Sequence, residues 1–308
     1  GASNTITNDG NSDLQPDWIW IKQRTSTQWH TVTDTSRGLT KYQYTNDNTT
    51  EGTVTNIVTA SNTDGFSLGS DQRGNASSQT YVGWQWAANG GTTASNTDGD
   101  ITTTVQVNQD AGFSIIQYTA SGTTNHTIGH GLGVTPNWVI FKRRDVANGN
   151  WDVQIDGTSR NTLNLAEASA ANVLSSFSST TVGLSTGGDA QKNVSGSKYT
   201  AYCFAEKQGF SKFGSYTGNG NADGPFIYTG FKPAFLMIKV TNTSGNWFMT
   251  DHKRNPFNLT DDWLVANGSG AETNVLNASS VDYLSNGFKL RNSYSETNNS
   301  GWSFIYMA

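Results

Sequence analysis

Three sets of residues in this chain bring an aromatic plane, a carboxylate and a guanidinium within a few positions of one another. They are Trp29, Asp34 and Arg37; Trp151, Asp156 and Arg160; and Trp247, Asp251 and Arg254. Such a set suits a sugar, by stacking on the ring and bidentate hydrogen bonding. It equally suits a buried tryptophan beside an Asp–Arg pair that holds the following turn. Recurrence in three places favours the structural reading, because a repeated fold element must repeat its supports and a binding site need not.

Other chemistry is thinly supplied. His126-Thr-Ile-Gly-His130 has the four-residue spacing of a zinc-protease motif but not the helix that would align the two imidazoles, so no metal is read there. His30 and His252 stand near Asp34 and Asp251, yet no nucleophile recurs with them, and both are read as solvent-facing. Ser61-Asn-Thr-Asp-Gly and Ser95-Asn-Thr-Asp-Gly-Asp lack the alternating acids of a calcium loop and read as Asx-turns. Glycoside hydrolysis needs two placed carboxylates, and nothing in the linear order pairs any of Glu51, Glu167, Glu206, Glu272 or Glu296 with a partner acid. A P-loop and a Rossmann fingerprint are both missing. Cys203 reads as a buried thiol. The sequence therefore predicts no catalytic residue, no cofactor and no enzyme.

The element that positions these residues is a heptapeptide that occurs three times: Pro16-Asp-Trp-Ile-Trp-Ile-Lys22, Pro136-Asn-Trp-Val-Ile-Phe-Lys142 and Pro233-Ala-Phe-Leu-Met-Ile-Lys239. A proline ahead of an apolar run opens a strand, since proline fixes φ and lacks the ladder donor. Side chains alternate along a strand, so Trp18 and Trp20 face one way and Ile19 and Ile21 the other, and both faces are apolar. Such a strand is central and covered on both sides. One cover is its own module's core; the other must be a neighbouring module or another chain.

Further landmarks follow each proline motif in the same order. The glycine-led pairs Gly65-Phe-Ser-Leu, Gly183-Leu-Ser-Thr and Gly287-Phe-Lys-Leu precede the aromatic strands opened by Tyr81, Tyr199 and Phe304. Phe113-Ser-Ile-Ile-Gln-Tyr-Thr returns as Phe210-Ser-Lys-Phe-Gly-Ser-Tyr-Thr, and both it and the proline motif recur at 97 residues. The expectation is a tandem array: module one at 1–88, without its opening strand; a linker and probable strand at 89–112; module two at 113–206; and module three at 207–308, with its last strand shortened. These edges read as those of an internal piece of a longer chain, with completion of the strands by a neighbour as the alternative. Modules two and three, joined only by Glu206-Lys-Gln-Gly, should pack rigidly. Residues 163–174 and 260–266 are the candidate helical turns; the rest is short strands with Asn-Gly and Asp-Gly turns.

Composition agrees with extended structure. Aromatics are 11% and charged residues 14%, with Gly, Ser, Thr and Asn making up much of the rest. A net charge of −5 argues against a nucleic-acid partner. The one basic cluster, Lys142-Arg143-Arg144, reads as a solvated strand end. No apolar run approaches the roughly 20 residues of a helical span, so no membrane partner is expected.

The segment from Tyr202 through Gln-Gly-Phe-Ser-Lys-Phe-Gly-Ser-Tyr-Thr-Gly-Asn-Gly to Phe235 resembles an uncharacterised domain family of tailed bacteriophages, abundant in marine and cyanobacterial phages. Asn246-Trp, Asp251-His-Lys-Arg-Asn-Pro-Phe-Asn and Leu284-Ser-Asn-Gly-Phe-Lys-Leu-Arg are similar to the same family. The resemblance implies a tail-fibre or other virion structural protein with lectin-like modules, and carries over no catalytic residue. The expectation is thus an all-β chain of three tandem β-sandwich or jelly-roll-like modules. It would be located in the virion and form a homo-oligomer, a trimer being favoured, alongside other virion proteins. A host-surface glycan is a possible ligand. A capsid decoration protein is the alternative, and a polysaccharide depolymerase the third.

Overall fold

The computed structural model describes residues 1–155, 159–171, 174–185, 188–274 and 280–308. Each heptapeptide becomes the middle strand of its own antiparallel sheet: Trp18–Gln23, Trp138–Arg143 and Phe235–Val240. The proline stands two residues ahead of the strand in every case.

Sheet 1 runs in the order Gly52–Thr53, Lys41–Tyr44, Thr31–Asp34, Trp18–Gln23 and Tyr81–Trp86. Sheet 2 runs Ala170–Ala171, Ser159–Thr162, Trp151–Ile155, Trp138–Arg143, Lys198–Phe204, Phe113–Thr119, Thr103–Asn108 and Ala94–Asn96. Sheet 3 runs Phe213–Thr217, Ser303–Met307, Phe235–Val240, Trp247–Asp251, Asp262–Val265 and Thr273–Asn274. In all three the central strand lies between its hairpin partner and the closing aromatic strand. A three-stranded sheet covers one face of each: Asn4–Ile6, Phe66–Leu68 and Val58–Ser61 for the first; Thr127–Gly129, Thr181–Leu184 and Leu174–Phe177 for the second; Phe226–Tyr228, Gly287–Leu290 and Val281–Leu284 for the third. The chain is all-β, built of sandwiches. Residues read as linker supply two strands to the edge of sheet 2.

The two faces of each central strand serve different cores. Ile19 and Ile21 pack with Ile57, Phe66 and Leu68 inside the first sandwich. Val139 and Phe141 do the same in the second, and Leu236 and Ile238 in the third. On the opposite face, Trp18, Trp20, Trp138, Ile140 and Met237 belong to one cluster with Trp151, Tyr202, Trp247 and Met307, drawn from all three sheets. The second cover is therefore the rest of the same chain. Trp18 stacks on Tyr202 of sheet 2, with ring centroids 4.6 Å apart, and Trp138 meets Trp247 of sheet 3 edge-on at 5.9 Å. Contacts of this kind add about 0.5–1.5 kcal/mol each beyond the area they bury.

Backbone hydrogen bonds at every junction close the ring of sheets. Glu51 N donates to Arg144 O at 3.0 Å, Ser169 N to Thr241 O at 2.8 Å, and Glu272 N to Arg24 O at 2.7 Å, linking sheet 1 to 2, 2 to 3 and 3 to 1.

Two helical expectations are corrected. Residues 163–171 form turns and the Ala170–Ala171 strand, and 260–266 contain the Asp262–Val265 strand. Both stretches are held at sheet edges, where the ladder outcompetes local propensity. The helical turns instead lie at Gln72–Asn75 and Ser295–Asn298, each just before a closing strand.

Because the three sheets bury one cluster, they should unfold together. Trp138→Ala is expected to cost about 3–5 kcal/mol while leaving a single urea transition, with tryptophan emission and far-UV circular dichroism coincident. Two resolved transitions in the wild-type protein would count against a common core.

Candidate functional site

Strand register decides which of the recurring polar residues are equivalent. Lys142 lies opposite Trp151, and Lys239 opposite Trp247. In sheet 1, Ile21 pairs with Thr31, so the residue facing Lys22 is His30 and not Trp29. Trp29 is a correction to the sequence alignment: it is displaced by one position and 37% exposed, set edge-on to Tyr44 at 4.5 Å. His30, expected in solvent, is fully buried and accepts from Trp20 Nε1 at 2.8 Å through Nδ1. Its burial and the neighbouring Lys22 keep its pKa well below the ordinary histidine value.

The same register places Asp34 opposite Trp18, Ile155 opposite Trp138 and Asp251 opposite Phe235. The acid of the second set is thus replaced by Ile155, and Asp156 lies outside the described residues. Asp34 and Asp251 are buried and do the same work. Each carboxylate accepts the backbone N–H of the arginine three residues on, at 2.7 Å for Arg37 and 2.9 Å for Arg254. Each also pairs with that arginine's Nε, at 2.5 Å and 2.7 Å. Burial opposes the charge on Arg37, but Asp34 and the groups around it outweigh this and raise its pKa.

Each carboxylate then reaches across to the next sheet. Tyr202 of sheet 2 donates its hydroxyl to Asp34 Oδ2 at 2.8 Å, and Trp84 of sheet 1 donates Nε1 to Asp251 Oδ2 at 3.1 Å. A glutamate extends both networks. Glu51 receives Arg37 at 3.1 Å and Arg144 at 2.8 Å, while Glu272 receives Arg254 at 2.7 Å and Arg24 at 2.6 Å. Burial pushes the Glu51 carboxyl up, and Arg144 and Arg37 bring it below the usual range. The junction of sheets 2 and 3 differs: Ile155 and Met307 join the common apolar cluster there. Arg160 turns to Asp152 at 3.4 Å, a carboxylate shared with Lys192 at 2.6 Å. Trp151 and Trp247 each donate Nε1 across a junction, to Tyr44 O at 2.7 Å and Thr162 O at 2.9 Å.

Of the motif lysines, Lys22 and Lys239 carried no reading of their own in the sequence, and Lys142 was read as part of a solvated strand end. Lys22, Lys142 and Lys239 are fully buried, and Nζ donates to Gln23 O, Gly149 O and Val240 O at 2.5, 2.5 and 2.7 Å. Burial lowers their pKa values to about 8, about 7 and about 8, against the weaker pull of Glu272, of Asp47, and of Glu296 with Glu167. The signal was the charged residue at a position facing inward. The basic cluster that begins at Lys142 is correspondingly no solvated strand end: Arg143 pairs with Asp145 at 3.0 Å and Arg144 with Glu51.

A second missed residue is Asp17. Its buried carboxylate accepts the backbone N–H groups of Ala88, Asn89, Gly90 and Gly91 at 2.6 to 3.0 Å, and Gln106 Nε2 as well, fastening the connector and sheet 2 to sheet 1. Asn137, its counterpart, accepts Glu206 N at 2.7 Å. The remaining three histidines each bond a neighbouring group: His126 Nδ1 to Ser121 Oγ at 2.9 Å, His130 Nε2 to Ser178 O at 3.2 Å and His252 Nδ1 to Ala234 O at 3.2 Å. Burial pushes the Cys203 thiol far up, which removes its nucleophilic form.

Arg37→Met leaves the buried Asp34 without its charge partner and should cost about 3–5 kcal/mol in urea unfolding. Arg160→Met, at the junction without the glutamate network, should cost under about 1 kcal/mol; equal costs would remove the distinction between the junctions. The lysines give a pH dependence of definite sign. Their folded pKa values lie below an unfolded value of about 10.4, so between about pH 7 and 9.5 the unfolded chain binds more protons and stability rises with pH. Lys142→Met should flatten that rise in denaturant melts, and a flat wild-type profile would contradict it.

No curated protein and no solved structure matches the chain. The family model for a domain of unknown function, DUF7483, matches residues 1–308, and the chain belongs to that family.

Proposed function

We propose that this protein is a structural component of a phage virion, a tail fibre or appendage built of three tandem modules fused into one rigid block. The observation that carries the structural half of this reading is the placement of Asp34, Arg37, Asp251 and Arg254. They are buried, bonded to one another and to the next sheet, and spent on fastening rather than on a substrate. The phage half rests on the resemblance of 202–235 and the stretches after it. A polar coat of Thr, Ser and Asn over a common aromatic core suits a part that must stay rigid outside a cell. With the second face of each central strand covered within the chain, a homotrimer is no longer required to bury it. Oligomerisation would instead use outer surfaces.

A host-surface glycan remains the associated ligand, and Trp29 supports it. Of the described residues of the three recurring sets, Trp29 is the one exposed, and its ring beside Tyr44 offers an apolar plane for a sugar.

The reading is tested on particles. Antibody against the purified chain should label a tail or fibre of an intact virion by electron microscopy, and the chain should bind host cells. Labelling of the capsid shell, with binding to empty capsids and none to cells, would favour a decoration protein. Release of reducing ends from host polysaccharide would overturn the structural reading in favour of a depolymerase.

A further inference from the structure

The second sandwich holds an ion pair at two positions where the other sandwiches hold none. Lys192 is fully buried, and its Nζ donates to Asp152 Oδ2 at 2.6 Å and to Asp189 Oδ2 at 2.8 Å. Asp152 is also fully buried, opposite Phe141 on the face that packs into the apolar core of that sandwich. Register makes Thr31, opposite Ile21, and Phe248, opposite Ile238, its counterparts. Tyr118 donates its hydroxyl to Lys192 O at 2.8 Å as Tyr216 does to Thr297 O at 2.6 Å, so Thr297 is the counterpart of the lysine. Asn75, Asn193 and Asn298 stand equally far ahead of Tyr81, Tyr199 and Phe304, which makes Gly74 the third. A support that the fold required would recur; this pair does not. A buried ion pair is also weak evidence of added stability.

The groups around the pair are placed for acyl chemistry. Gln191 N donates to Asp189 Oδ1 at 2.8 Å, which leaves Oδ2 directed at the lysine. Tyr118, stacked on Tyr199 with centroids 5.3 Å apart, fixes the lysine backbone. On Asp152 the second oxygen, Oδ1, accepts Gln154 Nε2 at 2.7 Å and faces Arg160 Nε at 3.4 Å. An amine therefore stands beside a carboxyl carbon, in a near-attack arrangement. A second acid touches that amine, and donors aim at the oxygen where negative charge would develop.

We propose that Lys192 and Asp152 are a self-modification site, joined by an amide cross-link between Nζ and Cγ, with Asp189 as the catalytic acid–base. Burial disfavours separated charges, so a proton passes from the Lys192 ammonium to Asp152 Oδ2 and leaves a neutral amine and a neutral acid. The Nζ lone pair attacks Cγ, and the C=O electron pair moves onto Oδ1, held by Gln154 and Arg160. Asp189 takes one proton from Nζ and returns it to the Oδ2 hydroxyl. The Cγ–Oδ2 bond then breaks, water leaves and the Oδ1 carbonyl re-forms. Of the three ammonium protons, two depart in the water and one stays on the amide. No oxidant, metal or second substrate is consumed.

The cross-link ties the strand Trp151–Ile155 to the segment just ahead of Lys198–Phe204, two neighbours of the same central strand. The strands Ser159–Thr162, Leu174–Phe177 and Thr181–Leu184 lie within the loop it closes, so the second sandwich could not open fully even when unfolded. The first and third sandwiches have no such bond at these positions. The inference rests on the buried cluster and does not depend on the virion reading.

The test is the mass of the intact, denatured chain. The purified protein should weigh about 18 Da less than its sequence, one water having been lost. Trypsin should leave residues 145–160 joined to 161–198, uncut after Lys192, because the amide removes the charge that trypsin reads. Lys192→Met and Asp152→Ala should each restore the full mass. Asp189→Asn keeps both joined residues and should form roughly tenfold less cross-link in the same time. Should a variant fail to fold, the wild-type mass and peptide map still decide. A wild-type chain at full mass, with normal cleavage after Lys192, would overturn the inference. So would a loss of water mapped instead to an Asp-Gly pair such as Asp64-Gly65. Undiminished cross-linking in Asp189→Asn would overturn the role given to that acid.

Discussion

The structure depends on a strand that cannot be satisfied by one sandwich. Ile19 and Ile21 and their counterparts need a core on one face, while Trp18, Trp20 and theirs need one on the other. A single sheet with a single cover leaves the second face in water, where an exposed row of tryptophans would drive association. Three copies in one chain answer the need by turning those faces toward one another. The aromatic cluster at the centre is larger in reach than any sandwich core, since it takes residues from all three sheets.

Polar chemistry then fixes how the sheets meet. Apolar packing is non-directional, and alone it would tolerate slippage of one sheet on another. Asp34 and Asp251 supply direction, because each holds its own arginine and one donor from the adjacent sheet. Glu51 and Glu272 tie two arginines from different sheets. The cost of burying these charges is offset only while every partner is in place, so the networks act as a check on correct assembly. The third junction, with Ile155 and Met307, relies on packing, on the Trp247 Nε1–Thr162 O bond and on the Ser169–Thr241 and Gly245–Ala166 backbone bonds.

Much of this was legible in the sequence, and the failures are instructive. The proline heptapeptides located the central strands, and the doubly apolar pattern of Trp18 to Ile21 required two covers. What the pattern could not say was whether the second cover came from the chain or from a partner, because periodicity carries no information on what lies beyond a face. The polar sets were found but misregistered. Trp29 and Trp151 look equivalent by residue type, whereas the ladder makes His30 the counterpart, and only the pairing of Ile21 with Thr31 reveals it. Asp17 was missed because a carboxylate's partners were backbone amides some seventy residues on, which have no side-chain signature. Lys142 was misjudged for the opposite reason: a lysine at a strand end is ordinarily solvated, and burial here follows from the neighbouring sheet.

One chain buries its own tryptophans. Acrylamide quenching of tryptophan emission, measured across a dilution series alongside sedimentation, tests it most directly. Trp18, Trp20, Trp84, Trp138, Trp151, Trp247 and Trp263 are buried within the single chain, so most emission should stay shielded in the monomer and be unchanged by concentration. Emission that is freely quenched in the monomer, and protected only when copies associate, would contradict it.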